Sequence, residues 1–294
     1  MLEDLLDPAR RPDGSRLACG VIRLPHISNF TDFAPLGRDE RVDLHYLSAP
    51  RGLGGYDLVV LPGTKNARSD AEWLAKTGWA RVLREYAGLG GRIGGVCGGY
   101  QILGSVIRDP YGIEGDPGEA RGLGLLDVTT EIRPEKVLRR SGGEWLAGGV
   151  TSRRVEGYEI HVGATERASG LAPSASLAEM GGGGNSPVYE DGARSADGRI
   201  WGTYLHGLFD SPAFRRAFIE DIRPDLAADA ENEAAHGEGG IGFRDRQYDL
   251  LAGHFRAHLD LGRLCSIADP DGEMRLAERV LAHAGARGGG KDID

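Results

Sequence analysis

A glycine-rich segment around Cys97 constrains the fold of this 294-residue chain more than any other stretch. Residues 92–96 are predicted to form a short buried strand, and a helix is predicted to begin directly after Cys97. The pattern Gly95-x-Cys97-x-Gly99 is typical of a nucleophile elbow, because the sharp turn leaves little room for side chains beside the nucleophile. The N–H groups that begin the helix favour a thiolate. The segment therefore predicts a nucleophilic Cys97 rather than a cysteine that only fills the core.

The stretches before this elbow predict an α/β fold. Three strand-like apolar runs come first: residues 17–24, 42–47 and 58–61. Ser69, with Glu72 three residues later, is predicted to cap a helix, and residues 79–89 form a second helical stretch. Strands that alternate with helices of this size are typical of a mainly parallel sheet with helices on both faces. We therefore expect a three-layer, flavodoxin-like sandwich.

The stretches after the elbow predict further strands and then helices. Four strand-like runs follow it: residues 123–132, 155–161, 187–192 and 200–205. Ser211 followed by Pro212 is predicted to begin a helix, and apolar spacing over residues 248–259 predicts another, part of a C-terminal helical extension. The expected organisation is a linker or tail over residues 1–16, a main domain over 17–224, and an acidic loop with the helical extension over 225–294.

Composition and charge exclude several function classes. A formal net charge of −9 argues against a nucleic-acid partner, and no apolar run approaches the ~20 residues that a membrane span needs. Three scattered cysteines predict neither a disulfide framework nor a zinc site, so we expect a reducing cytoplasm. Residues 285–291 match most of a phosphate-binding loop, but Asp292 replaces the required Ser or Thr. We therefore expect this chain to bind no metal and no nucleotide cofactor by itself.

A nucleophilic cysteine also needs a base and an oxyanion site. His206 is the preferred base because it follows the run 200–205, and strand ends in an open α/β sheet face one crevice. His161 also ends a predicted strand and is the second candidate. The N–H of Gly98, directly after the nucleophile, is the first predicted oxyanion donor. Gly63, in a Pro-Gly turn after residues 58–61, is the second.

Several motifs together carry a resemblance to a known family. The chain resembles class I glutamine amidotransferases, and more narrowly the CobB/CobQ-like glutaminase domains of the cobyric acid synthase type. The match spans roughly residues 17–264, and the Asn-Phe stretch at 29–30 is the feature most specific to this branch. The motifs that carry it are residues 24–33, 62–66, 95–101, 109–115, 122–127, 157–161 and 204–207.

The resemblance implies a reaction and its partners. Cys97 would attack the side-chain amide of L-glutamine while His206 moves the proton, giving a glutamyl thioester and ammonia. Gln101, Tyr100 and Lys136 are the implied substrate contacts, with Lys136 meeting the glutamine carboxylate. In this family the ammonia reaches an ATP-dependent synthetase that amidates carboxylates of adenosylcobyrinic acid a,c-diamide. ATP and Mg²⁺ are therefore expected on a synthetase domain or partner outside this chain.

One departure from the wider class concerns the base. Most triad amidotransferases carry Glu two residues after the histidine, whereas this chain has Leu208, as the CobB/CobQ-like branch generally does. An orienting partner normally fixes the tautomer of a catalytic histidine. Glu159, Asp210 or a backbone carbonyl are the candidates for that role. We expect weak glutaminase activity in the free chain, rising when the synthetase docks.

Three other interpretations stay open on sequence alone. The chain resembles in part the glutaminase subunit that serves amidation of a lipid-linked peptidoglycan precursor, which shares the elbow but fits residues 29–30 poorly. A non-catalytic docking module with the same fold is the second alternative. A cysteine hydrolase of the α/β-hydrolase type is the third, and it would need an acid between the elbow and His206.

Overall fold

The structure, a computed structural model, describes residues 12–151, 153–181, 186–227 and 240–269. They belong to two units, of which the first ends at Gly240 and the second begins at Ile241. Most of the predicted N-terminal tail, residues 228–239 of the predicted acidic loop and the stretch beyond residue 269 lie outside the described residues.

Strands of the first unit form two sheets. Seven strands precede residue 150: β1 Leu17–Ile22, β2 Val42–Leu47, β3 Leu58–Leu61, β4 Ile93–Val96, β5 Val106–Asp109, β6 Gly118–Arg121 and β7 Val128–Trp145. Six follow it: β8 Arg154–Arg167, β9 Ala175–Glu179, β10 Val188–Asp191, β11 Ala193–Arg194, β12 Ile200–Thr203 and β13 Leu205–His206.

The first sheet is the predicted parallel one. Its strand order is β11-β12-β4-β3-β1-β2, and every neighbouring pair is parallel except β11 with β12. All residues of β1, β3 and β4 are buried, as expected for apolar parallel strands covered on both faces. The carboxyl ends of β1, β3, β4 and β12 therefore share one edge of the sheet.

The second sheet has seven strands and was not predicted as a separate layer. It runs β10-β9-β7-β5-β6, with β8 paired to both β7 and β13. Its longest pair, β7 with β8, is antiparallel, and its register shifts between Ile132 and Val137. Residues 123–127, predicted to be part of a strand, form the connection into β7 instead. β12 ends at Thr203 in the first sheet, and β13, which begins two residues later, pairs with β8 of the second sheet. The chain therefore passes from one sheet to the other at His206, the predicted catalytic base.

The described residues also form helices and short turns. They are a 3₁₀ turn at Phe30–Phe33, α1 Ala34–Gly37, α2 Ala67–Thr77, α3 Trp79–Gly88, α4 Gly98–Leu103, α5 Pro212–Ile222 and, after a second 3₁₀ turn at Pro224–Leu226, α6 Gly240–His258 and α7 Leu261–Ala268.

Helix caps test the predicted helix starts. The Oγ of Ser211 accepts the Phe214 N–H at 3.3 Å, so the predicted start of α5 is confirmed. The predicted cap at Ser69 is wrong, because α2 begins at Ala67 and Asn66 is its cap. The Asn66 Oδ1 accepts the Ser69 N–H at 2.9 Å.

The second unit contains α6 and α7. The apolar spacing predicted over residues 248–259 lies on α6 up to its end at His258, and its large side chains, including Tyr248, Leu251 and Phe255, are exposed. Within the described ranges, no helix is both long and apolar enough to cross a membrane.

Candidate active site

Cys97 forms the turn between β4 and α4 and has a positive φ of 51° with ψ −112°. A Cβ at Gly98 would lie 2.4 Å from the Thr64 side chain, and a Cβ at Gly99 would lie 2.0 Å from the Leu61 carbonyl oxygen. Only glycine fits at these two positions, because real side chains never approach so closely. The predicted elbow is therefore present. The Cys97 sulfur lies 3.6 Å from the Ile160 carbonyl oxygen.

His206, in β13, lies beside Cys97 and is fully buried. Its Nδ1 donates to Asp32 Oδ2 at 2.7 Å, and the Gly207 N–H donates to Asp32 Oδ1 at 3.2 Å. Burial lowers the pKa of His206, but hydrogen bonds to Asp32 and Cys97 outweigh it and raise that pKa to about 10. The structure thus brings together the predicted nucleophile and the preferred base.

Asp32 is the acid that the sequence interpretation missed. The three candidates for orienting His206 were Glu159, Asp210 or a carbonyl, whereas Nδ1 bonds the carboxylate of Asp32. Asp32 lies in the 3₁₀ turn that follows β1, so it reaches the same edge of the parallel sheet as Cys97. The position of Asp32 directly after a predicted parallel strand was the sequence signal for this role, because side chains after parallel strands converge in one crevice.

Glu159 is engaged elsewhere. Both of its oxygens accept from the Arg139 guanidinium, at 3.1 and 3.0 Å, and Oε1 also accepts from Ser141 at 2.6 Å and from Tyr189. Burial alone would raise the pKa of Glu159, but the nearby His161 ring and hydrogen bonds from Arg139, Ser141 and Tyr189 lower it to about 2. Its carboxylate anchors β7, β8 and β10 rather than the catalytic imidazole.

A pocket of about 270 Å³ opens beside Cys97. Gln101 and Lys136, two of the predicted substrate contacts, lie on its wall. Lys136 belongs to β7, where the register with β8 shifts. The complete lining is Ser28, Asn29, Thr64, Lys65, Cys97, Gln101, Glu114, Lys136, Ile160, His161 and Val162.

The two predicted oxyanion donors lie next to the catalytic side chains. A Cβ at Gly63 would approach His206 Cε1 to 3.2 Å, so a side chain there would press on the imidazole. Gly98 begins α4 directly after Cys97 and contacts Thr64. The role of both residues as oxyanion donors stays a prediction.

Tyr100, which was predicted to contact the substrate, does not line the pocket. Its side chain is buried in the core, and its ring packs edge-on against Tyr204 at 5.3 Å. A Cβ at Gly202 would lie 2.0 Å from the Tyr100 ring, so this ring fills the space beneath β12 instead of the pocket. Residues 98–103 form a helix, and successive helical side chains point in different directions, which is why Gln101 faces the pocket while Tyr100 does not.

His161, the second candidate base, also lines the pocket. Its ring stacks on Tyr204 with centroids 3.8 Å apart, and its Nδ1 donates to the Gly163 carbonyl at 2.9 Å. Its Nε2 lies 3.7 Å from Glu159 Oε2. His206 has the contact with Cys97, and we therefore keep His206 as the base.

A larger cavity of about 760 Å³ lies away from this site. Asp57 and Arg92, on its wall, immediately precede β3 and β4, so it opens at the amino ends of the parallel strands. Ligands of open α/β sheets bind at the carboxyl ends. Among the described residues, no three His, Cys, Asp or Glu side chains are grouped to hold a metal ion.

Comparison with known proteins decides the family. A model of the CobB/CobQ-like glutamine amidotransferase domain matches residues 18–214. The chain belongs to this family. Relatives of this CobB/CobQ-like domain include a cobyric acid synthase from Chlorobium phaeobacteroides, 43% identical over 267 residues that cover 90% of this chain and 50% of that protein. A cobyric acid synthase from Paracoccus denitrificans is 41% identical over 267 residues, with coverages of 90% and 51%.

The CobB/CobQ-like domain therefore spans about half the length of the curated relatives that it matches. Among solved structures, PurLQS from Thermotoga maritima aligns with a TM-score of 0.50 at 17% identity, covering 74% of this chain and 100% of that chain. This likeness concerns the fold alone. It agrees with the α/β sandwich, and the predicted resemblance and fold class are confirmed.

Proposed function

We propose that this CobB/CobQ-like domain hydrolyses L-glutamine and supplies ammonia to an ATP-dependent synthetase. The observation that carries the proposal is the arrangement of Cys97, His206 and Asp32 beside one pocket. The acid precedes the elbow in the chain, whereas an α/β-hydrolase carries it between nucleophile and histidine. That order counts against the cysteine-hydrolase alternative.

The chemistry follows from the protonation state of His206. Because its pKa is raised to about 10, His206 is protonated at neutral pH and favours a thiolate at Cys97. The thiolate attacks the carboxamide carbon, a C–S bond forms, and the oxyanion is held by the N–H groups proposed at Gly98 and Gly63. The C–N bond then breaks as His206 Nε2 gives its proton to the leaving nitrogen, which departs as ammonia.

Deacylation returns the enzyme to its starting state. His206, now neutral, takes a proton from water as the water oxygen attacks the thioester carbon. The C–S bond breaks, glutamate leaves, and the thiolate and the protonated imidazole are restored. The new carboxyl group loses its proton to solvent, so the net reaction is glutamine plus water to glutamate, ammonia and a proton. Asp32 accepts the Nδ1–H throughout and so keeps Nε2 facing the sulfur.

The charges on the pocket wall match a zwitterionic amino acid. Lys136 and Lys65, which both line the pocket, are available to the α-carboxylate, and Glu114 offers a carboxylate for the α-ammonium group. The Arg68 N–H donates to Glu114 Oε2 at 3.1 Å and fixes that carboxylate at the wall. Gln101 is fixed by donating its Nε2 to the Tyr204 hydroxyl at 3.2 Å.

The destination of the ammonia is proposed from the relatives. Those relatives are cobyric acid synthases of about twice this length, so we propose that the ammonia serves amidation of adenosylcobyrinic acid a,c-diamide on a synthetase domain or subunit. ATP and Mg²⁺ would bind there, and a cytoplasmic location belongs to the same proposal. Ammonia released into water at pH 7 is mostly protonated and poorly nucleophilic. A docked partner is therefore required for productive transfer.

Labelling with a chloroketone analogue of glutamine tests the proposal. We expect covalent modification at Cys97, prevented by excess glutamine and absent in Cys97→Ala, together with glutamate release by the native chain. Addition of the synthetase with its ATP and corrinoid substrates is expected to increase that release. An unmodified Cys97 would favour a non-catalytic docking module, and undiminished glutamine turnover by Cys97→Ala would refute the mechanism.

A further inference from the structure

One short turn contacts both nitrogens of the catalytic imidazole. Asp32 accepts from Nδ1 of His206 at 2.7 Å, and three residues earlier the Asn29 Nδ2 lies 3.3 Å from Nε2 of the same ring. The Asp32 N–H donates to the Asn29 carbonyl at 2.9 Å, which closes the turn and fixes the spacing of the two side chains. The ring face is covered by Tyr158, stacked with centroids 5.1 Å apart.

The backbone of Asn29 is specialised for this position. Asn29 has φ 51° and ψ 36°, and within the described ranges only Cys97 shares a positive φ among non-glycine residues. Asparagine accepts this left-handed conformation more readily than most residues. The conformation costs free energy, so its coincidence with a side chain at the reacting nitrogen points to a function for the side chain.

We propose that Asn29 is a positioning residue that holds His206 Nε2 in both of its protonation states during glutamine hydrolysis. A carboxamide carries a donor and an acceptor on one planar group. Nδ2–H binds the lone pair of neutral His206, and Oδ1 accepts the Nε2–H of the protonated ring after a rotation about χ2. The proposal rests on the glutaminase function and on the step-wise proton transfers through Nε2.

The two half-reactions make different demands on this contact. Acylation consumes the protonated ring and deacylation requires the neutral one, so a partner that binds a single form would slow one step. A carboxylate at position 29 would only accept hydrogen bonds and would favour the protonated ring over the neutral one. The other ionisable groups facing this imidazole are Asp32, Cys97 and Tyr158.

Two variants that both tolerate the left-handed backbone separate these effects. In Asn29→Gly the amide is lost, and we expect kcat for glutamine hydrolysis to fall roughly ten-fold with a smaller change in KM, as for loss of one hydrogen bond. In Asn29→Asp we expect deacylation to be slowed, so that the glutamyl thioester accumulates on Cys97 in intact-protein mass spectra. The acid limb of the kcat profile should also move to higher pH. Thr31→Ala, an exposed change in the same turn, is the matched control.

A ring titration of His206 by NMR gives a readout without glutamine. We expect a higher pKa for His206 in Asn29→Asp than in the native chain. An unshifted titration, or native kcat in Asn29→Gly, would overturn the proposal. So would parallel losses of kcat and melting temperature in both variants with an unchanged pH profile, which would indicate a structural role. A native chain that neither hydrolyses glutamine nor reacts with the chloroketone would instead refute the glutaminase function.

Discussion

At the scale of single residues, the decisive feature is the hydrogen bond from His206 Nδ1 to the Asp32 carboxylate. His206 is fully buried, and a buried imidazolium is unfavourable unless an anion faces it. Asp32 provides that anion through Nδ1 at 2.7 Å. The same contact selects the tautomer and leaves Nε2 for the chemistry at Cys97. Asp32 is therefore expected to matter for rate, not only for folding.

We expect Asp32→Asn to reduce glutaminase kcat by roughly 100- to 10,000-fold, because a neutral amide neither fixes the tautomer nor stabilises the protonated ring. Steady-state glutamate release measures the effect. Asp197→Asn, which removes an exposed carboxylate in the β11–β12 hairpin, is the matched control and should keep the native rate. A native rate in Asp32→Asn would show that Asp32 is not the orienting acid.

The raised pKa of His206 also predicts a pH dependence of stability. A group whose folded-state pKa lies above its unfolded value stabilises the fold fully below the unfolded pKa, about 6.5. That contribution is lost as the pH rises toward the folded value of about 10. We therefore expect the stability advantage of the native chain over Asp32→Asn to shrink between pH 6.5 and 10. Urea unfolding at several pH values measures it, and a constant difference over this window would contradict the assignment.

At the scale of elements, the passage from β4 to α4 decides whether the site can form. The helix lies so close to β3 that the Cα of Gly99 faces the Leu61 carbonyl, and the Cα of Gly98 faces Thr64. Close approach of helix and strand is what places Cys97 at the edge of the sheet. Glycine is therefore required at positions 98 and 99 for the helix to pack this closely against the strand.

We expect Gly99→Ala to destabilise the fold by about 3 kcal/mol or more, because the added methyl would overlap the Leu61 carbonyl and force the backbone apart. Gly88→Ala is the matched control. A Cβ at Gly88, at the end of α3, would meet no atom within 4 Å, and we expect a neutral or slightly stabilising change of up to about 1 kcal/mol. Chemical denaturation compares the two, and equal stabilities would refute the close approach.

At the scale of the whole molecule, the site is assembled by two sheets of the first unit. Cys97 follows a parallel strand of the first sheet, whereas His206 lies on β13, which pairs with β8 of the second. The lining of the pocket likewise draws on β7 and β8. Every residue of the site precedes Gly240, where the first unit ends.

We expect a chain truncated after Gly240 to keep cooperative unfolding and the native rate of chloroketone labelling at Cys97. The physical reason is that the first unit contains its own core and all residues of the site. The full-length chain is the control for both measurements. Loss of labelling in a truncated chain that still unfolds cooperatively would show that residues beyond Gly240 shape the site.

The sequence by itself determined the elements whose signals are local. Apolar runs located β2 and β3 at their observed bounds, and the flanking glycines identified the elbow, because a strand–turn–helix of this tightness excludes side chains. Ser211 followed by Pro212 likewise gave the start of α5. The motifs and their spacing were sufficient to identify the family.

Only the tertiary structure decided what depends on contacts between distant segments. The choice of Asp32 over Glu159 required knowing that the turn after β1 faces β13, 174 residues later in the chain. The second sheet, and the burial of Tyr100 away from the pocket, also follow from packing between segments far apart in sequence. Local patterns report which element a residue joins, and only the packed fold reports which side chains then meet.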